Sequence, residues 1–274
     1  MFSTKFLILA TLAAVASAAP KPCKPTPTLP STGGTYTQRS TAFAENSSAD
    51  IWQLPASELP AVPSNLVLKK IILGHGIQNY SCPADPTATP EAKGALAALY
   101  DVTHLYPGTP RTGLTQAGFD TLTTTALWTQ DIPLNLVNAA AALASTILPS
   151  KNYAATTDPF QAPEDIVLGN SQLKYAGHHY FDQTGTPNFD LPAAGLKAHV
   201  VKKAGVPVPA GADPGPLKTG AVQWLLLGDS GLGLSKGVNM VYRVITAGGV
   251  GESCATTGEG QGSVPYTAFY WFYG

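Results

Sequence analysis

The chain has 274 residues, only 12% of them charged, with 27 glycines and 24 prolines and a formal net charge of −1. No run of Lys and Arg is longer than the pairs Lys69-Lys70 and Lys202-Lys203, so the basic face that nucleic-acid binding requires is missing. The composition is that of a turn-rich β protein of one large domain or two small ones.

Met1 to Ala18 reads as a secretory signal peptide. Lys5 is the charged start, Phe6 to Val15 a short apolar core, and Ala16-Ser17-Ala18 a small-residue cleavage site. That apolar run is too short to cross a bilayer, and no other stretch is apolar enough to do so. The expected location is extracellular or cell-wall associated. Loss of Lys5 with the leader leaves 15 basic against 17 acidic residues, a charge of −2.

Residues 19–48 are rich in Pro, Thr and Ser and cannot bury a core, which predicts a disordered tail. Asn46-Ser47-Ser48 is an N-glycosylation sequon. Residues 49–274 then form a single β-rich domain. Its first part, 49–65, repeats Leu-Pro and Val-Pro and should run as an extended arm anchored by Trp52 and Leu54.

Leu66 to Cys82, LVLKKIILGHGIQNYSC, predicts a central strand. Gly74 and Gly76 flank His75 and signal a bulge or a close backbone approach. Asn79-Tyr80-Ser81 is a second sequon. A glycan on Asn79 requires it to face solvent, which turns Gln78, Tyr80 and Cys82 inward by strand alternation. Gly94 to Leu105 is another strand candidate, although its apolar spacing of three also suits a helix. Residues 112–148 carry helical spacing and few glycines, which predicts a short helical insertion resting on the sheet.

From Glu164 onward the pattern returns to β. Leu173 to Phe181 alternates, placing Leu173, Tyr175, His179 and Phe181 on one face and Lys174, His178 and Tyr180 on the other. Gln183 to Pro187 is a hairpin turn. Leu196 to Lys202, Gln223 to Leu227 and Val238 to Ala247 are further strands, and Asp229 to Lys236 is a turn. Pro265 to Tyr273, with aromatics on both faces, suits a strand buried on both sides. About eight short strands argue for an all-β fold, a β-sandwich or jelly-roll-like domain, or a barrel.

Cys23, Cys82 and Cys254 are the only cysteines. Two of them should pair in an oxidising compartment. Cys82 and Cys254 lie beside strands, whereas Cys23 lies in the tail and is either free or intermolecular.

Three segments carry a family resemblance: LGHGIQNYSC at 73–82, GHHYF with the following FDL at 177–191, and VYRVITAGGVGESC with VPYTAFYWFY at 241–273. They resemble a group of secreted fungal and bacterial proteins gathered as a domain of unknown function. The resemblance implies secretion, a β-rich fold and a Cys82–Cys254 bridge. It brings no activity, no cofactor and no catalytic residues. Fungal members often carry an automatic malate dehydrogenase label, which this sequence does not support. It has no GxGxxG between a strand and a helix and no βαβ alternation.

The candidate ligand-binding residues are His75, Gln78, His178, His179, Tyr180 and Arg243. His75 and His179 are weak metal-ligand candidates, because the adjacent His178 and His179 point to opposite faces and no HxH or HExxH spacing exists. Gly228-Asp229-Ser230-Gly231 has the flavour of an esterase serine block, but it lies between two strands instead of leading into a helix. Asp182, Asp190, Glu252 and Glu259 offer carboxylates without a motif spacing. Arg243 shares a face with Val241 and Ile245, so it should be buried against a carboxylate, with Asp101 the expected partner; an anion-binding Arg243 is the alternative. The functional expectation is an extracellular binding protein whose partner is a cell-wall glycan or a host or competitor surface. A secreted hydrolase or a His-coordinated metalloenzyme is the competing class.

Overall fold

The computed structural model describes residues 52–138 and 150–274. The leader, the tail with Cys23 and Asn46, and residues 139–149 of the helical insertion lie outside the described residues. The strands are β1 (Leu68–Cys82), β2 (Glu91–Asp101), β3 (Leu134–Leu136), β4 (Ala155–Phe160), β5 (Ile166–Leu168), β6 (Ser171–Phe181), β7 (Pro187–Leu191), β8 (Leu196–Val206), β9 (Trp224–Asp229), β10 (Met240–Gly248) and β11 (Gly260–Tyr273). The helices are α1 (Gln116–Asp120), α2 (Leu122–Thr129) and α3 (Cys254–Thr257).

The main sheet is antiparallel, in the order β2-β1-β11-β10-β9-β8-β7-β6-β5, and β2 also pairs with β6. That last pairing closes the ring from β2 to β6, with the short β5 appended to β6. The all-β, sandwich-like expectation holds, with the two halves facing each other over an inner core and their edges closed into a flattened eight-stranded barrel. Eight strands leave an interior that side chains can fill. Closure also removes the free edges that would template aggregation.

Two cores result, one on each side of the sheet. Ile72, Leu99, Phe189, Val200, Tyr270 and Phe272 fill the inside. Ile71, Leu73, Trp224, Phe269 and Trp271 lie outside, beneath the helices and the arm. This explains why β1 and β11 read as continuous apolar runs: successive residues point to opposite faces, and both faces are covered. Gly262 to Tyr273 is buried throughout.

The cover comes from the predicted places. In the 112–148 region, Thr115 caps α1 by accepting from the Gly118 N–H at 3.1 Å, and Phe119 stacks on Phe269 with centroids 4.7 Å apart. The arm lies over the outer face with Trp52 against Tyr106 at 5.0 Å. The Tyr106 hydroxyl accepts from Gln53 N–H and donates to Gln53 O, and the Tyr242 hydroxyl donates to Pro60 O. Residues 94–101 belong to strand β2 and Thr103–Leu105 form a 3-10 turn, which settles the helix-or-strand ambiguity there.

The bridge between Cys82 and Cys254 is present, spanning 172 residues with its Cα atoms 5.4 Å apart. It ties the end of β1 to α3, just before β11.

The alternation expected for β6 is broken. Leu99 pairs with Gly177 but Tyr100 pairs with Tyr175, so Ala176 is an extra residue in the ladder. Gly177 adopts φ +152° there. The bulge moves Tyr175 from the face of His179 to that of His178, whose Nε2 it meets at 2.6 Å.

Candidate functional site

Five residues stand directly opposite one another across β1, β11, β10, β9 and β8: Ile72, Tyr270, Arg243, Leu225 and Gly205. Opposed residues project to one face. Ile72 and Tyr270 belong to the inner core, so Arg243 faces inward. The row leaves the barrel at the exposed Gly205 near the end of β8, which makes Arg243 a rim residue that is only half-buried.

The guanidinium donates from Nε and Nη2 to Gln223 O at 3.1 and 2.9 Å. Lys202 donates from Nζ to Gln223 Oε1 at 3.4 Å. Two cations therefore converge on one exposed residue, and neither forms an ion pair among the described residues. The expected Asp101 partnership is absent. Asp101 lies three strands from Arg243, about 14 Å at the usual strand spacing, with Ile72 and Tyr270 between them. It pairs instead with Lys70 on the adjacent strand at 2.6 Å. Burial pushes its carboxyl up, but hydrogen bonds from Lys70 and Thr103 outweigh that and hold it below its ordinary range.

Behind Arg243 lies an aromatic wall. The Tyr266 and Tyr270 hydroxyls are 3.1 Å apart. Burial raises both phenols, and the Arg243 charge draws both back down. His179 stacks on Phe189 at 4.0 Å and its Nδ1 meets Asn188 O at 2.7 Å. Its pKa is lowered to about 3, chiefly by burial, with Arg243 adding to the effect.

The six candidates divide between the faces. Gln78 continues the inward series from Ile72 and donates to Gly94 O at 2.7 Å, so Gln78, His179 and Arg243 share the interior. His75, His178 and Tyr180 lie on the outside. His178 stacks on Phe160 at 3.8 Å. His75 is buried between Thr267 and Ala98, with no partner for Nε2 among the described residues and a pKa lowered to about 3 by burial. No group of three or more His, Cys, Asp or Glu side chains converges among the described residues. Asn79 is half-buried and accepts from the Ser263 hydroxyl at 2.7 Å; half-buried Tyr80 donates to Gly249 O at 2.8 Å.

The two neutral histidines predict a pH dependence. Each has a native pKa below the unfolded value of about 6.5, so the unfolded chain binds more protons and stability falls as pH drops from about 6.5 toward 3. The slope approaches about 1.4 kcal/mol per pH unit for each histidine. Urea midpoints measured between pH 6.5 and 5.5 read chiefly the histidines, because ordinary carboxylates titrate below that window. His75→Leu is expected to reduce the slope, with His179 and His178, the latter also lowered by burial, carrying the rest, and a wild-type midpoint that stays level across this window would contradict the assignment.

Sequence reasoning missed a second constellation. His199 Nδ1 lies 2.7 Å from Ser230 Oγ, and His199 Nε2 lies 3.1 Å from Asp182 Oδ2. The GDSG block signalled the serine, but nothing in the sequence linked it to residues 31 and 48 positions upstream. A third feature is a cavity of about 470 Å3 between the arm and the outer face, lined by Leu54, Pro60, Val62, Tyr242 and Tyr273 among others. It holds no charged side chain and so offers packing without chemistry.

A family model described as a protein of unknown function, DUF3455, matches residues 63–274. No curated protein and no solved structure matches the chain.

Proposed function

For a chain that belongs to the DUF3455 family, we infer an extracellular binding protein whose ligand carries a carboxylate. The observation behind this reading is the pair of cations on Gln223. A half-buried guanidinium ordinarily takes a carboxylate partner, and Arg243 has instead the Gln223 carbonyl at 2.9–3.1 Å and the buried Tyr270 hydroxyl. The remaining guanidinium N–H groups and the Lys202 ammonium are suited to a planar anion at the barrel rim. The half-buried Leu225 beside Arg243 offers apolar surface to the rest of such a ligand. The leader and the Cys82–Cys254 bridge support an extracellular setting, where carboxylates occur both on acidic wall glycans and as free organic acids. The sequon at Asn79 supports a glycoprotein.

The test is calorimetric titration with glucuronate and succinate, using glucose as the neutral control. Wild type is expected to bind at least one of the acids, with affinity falling as salt rises. Arg243→Met is expected to weaken binding about 10- to 100-fold, the worth of a charge-assisted contact of about 1.5–3 kcal/mol. The variant should fold normally, because the exposed Gln223 carbonyl turns to water and no carboxylate is left unpaired. Equal affinity in Arg243→Met and wild type would overturn the reading.

A further inference from the structure

We propose that Ser230, His199 and Asp182 form a second, independent site that transfers the acyl group of apolar esters to water. The site lies at the opposite end of β9 from Gln223. Three separate segments assemble it: the hairpin turn after β6 supplies Asp182, β8 supplies His199, and the loop after β9 supplies Ser230.

The chemistry of the partners sets the proton positions. Asp182 is held well below the ordinary carboxylate range, chiefly by the Thr184 and Thr186 donors, and as an anion it only accepts. The proton between it and His199 is therefore on Nε2. In the tautomer whose single ring proton is on Nε2, Nδ1 accepts, and Ser230 Oγ–H donates to it across 2.7 Å. This is the arrangement of a nucleophile, a base and an orienting acid. The ring is turned so that Nδ1 serves the serine, and with the proton on Nε2 it is Nδ1 that has the free lone pair and acts as the base.

Each member is fixed by its surroundings. Asp182 Oδ1 accepts from Thr184 N, Thr184 Oγ1 and Thr186 N, and Oδ2 accepts from Asn188 Nδ2 at 3.2 Å as well as from His199. The serine loop docks on the backbone of His199 itself: Ser230 N–H donates to His199 O at 3.0 Å, and the Ser235 hydroxyl accepts from His199 N–H at 3.0 Å. Such a supporting shell is what a pre-organised site requires. His199 is buried at 4% exposure, whereas Ser230 is half-exposed and reachable from solvent.

The surrounding loop suggests the substrate. Leu232 and Leu234 are 69% and 50% exposed on either side of Gly233. Two large apolar side chains held in solvent beside a serine suit an aliphatic acyl chain. The N–H groups of Gly233 and Leu234 make no hydrogen bond among the described residues, leaving them free for a developing oxyanion.

In the first step Ser230 Oγ bonds to the acyl carbon while its proton passes to His199 Nδ1. The carbon–oxygen bond to the alcohol then breaks, and the leaving oxygen takes that proton from Nδ1. Water repeats the sequence on the acyl-serine: its proton goes to Nδ1, its oxygen to the acyl carbon, and Ser230 leaves reprotonated.

The full-length secreted protein would be treated with an alkyl fluorophosphonate and mapped by mass spectrometry, and p-nitrophenyl butyrate hydrolysis followed in parallel. The expected result is one adduct on the Ser230 peptide. Ser230→Ala should remove both the adduct and the ester hydrolysis, a loss on the order of 10³-fold. Asp182→Asn, which keeps an acceptor for the hairpin N–H groups, should slow labelling at Ser230 while leaving the circular dichroism unchanged. A purely structural network would show no adduct and the same butyrate hydrolysis in wild type and Ser230→Ala; that outcome overturns the proposal.

Discussion

Replacing Cys82 and Cys254 together by alanine is expected to lower stability by about 5 kcal/mol, the chain-entropy value for so long a loop. The bridge spans 172 residues, and both cysteines are buried. It therefore restricts the unfolded chain across nearly the whole barrel. For a domain of this size the change corresponds to a melting temperature lower by about 10–20 °C. Alanine is preferred to serine because a hydroxyl would be left in a buried site. Thermal or urea unfolding of the double variant beside the oxidised wild type checks the expectation, and coincident curves would contradict it.

The second large effect belongs to Gly76. A methyl group there would stand 2.0 Å from Leu96 O and 2.6 Å from Ala97 Cα, both backbone atoms of β2. Backbone in a paired strand cannot yield without breaking the ladder between β1 and β2. Gly76→Ala is expected to cost about 3–5 kcal/mol, among the largest single-site effects. Gly74→Ala should be milder, about 1–3 kcal/mol, because its nearest obstacle is the side chain of Tyr270 at 2.7 Å. The test is the rank order in urea unfolding, with Gly76→Ala below Gly74→Ala below wild type. A Gly76→Ala protein as stable as wild type, or a reversed order, would refute the close approach.

These two effects rest on features that were legible in the sequence. The glycines beside His75 announced a close approach, and the cysteines beside strands announced their pairing. The two-sided burial of the last strand followed from its aromatics on both faces. What was not legible was distance across the sheet. Alternation placed Arg243 on a face but could not say which side chains stand between it and Asp101, so the nearer Lys70 took the carboxylate. The Ala176 bulge was hidden as well, since one extra residue leaves the apolar pattern of β6 almost unchanged while moving Tyr175 to the other side. The Ser230–His199–Asp182 chain depends on the register of β8, which sets His199 opposite Asn188 on β7 and its neighbour Val200 opposite Asp229 at the end of β9. Local patterns hold no record of such stagger.

The place of β11 bears on how the barrel is made. It pairs with β1 on one side and β10 on the other, yet it follows both in the chain. During synthesis β1 emerges early and must wait, one long apolar edge unsatisfied, until β11 arrives. No earlier segment takes that slot in the finished ladder. Such non-local pairing is slow and leaves the nascent chain open to wrong partners. The last step of assembly is then the insertion of one strand into a waiting gap, with the Cys82–Cys254 bond oxidised beside it. The yield of folded protein should therefore depend on chaperone capacity and on oxidation of the two thiols more than on the stability of the completed barrel.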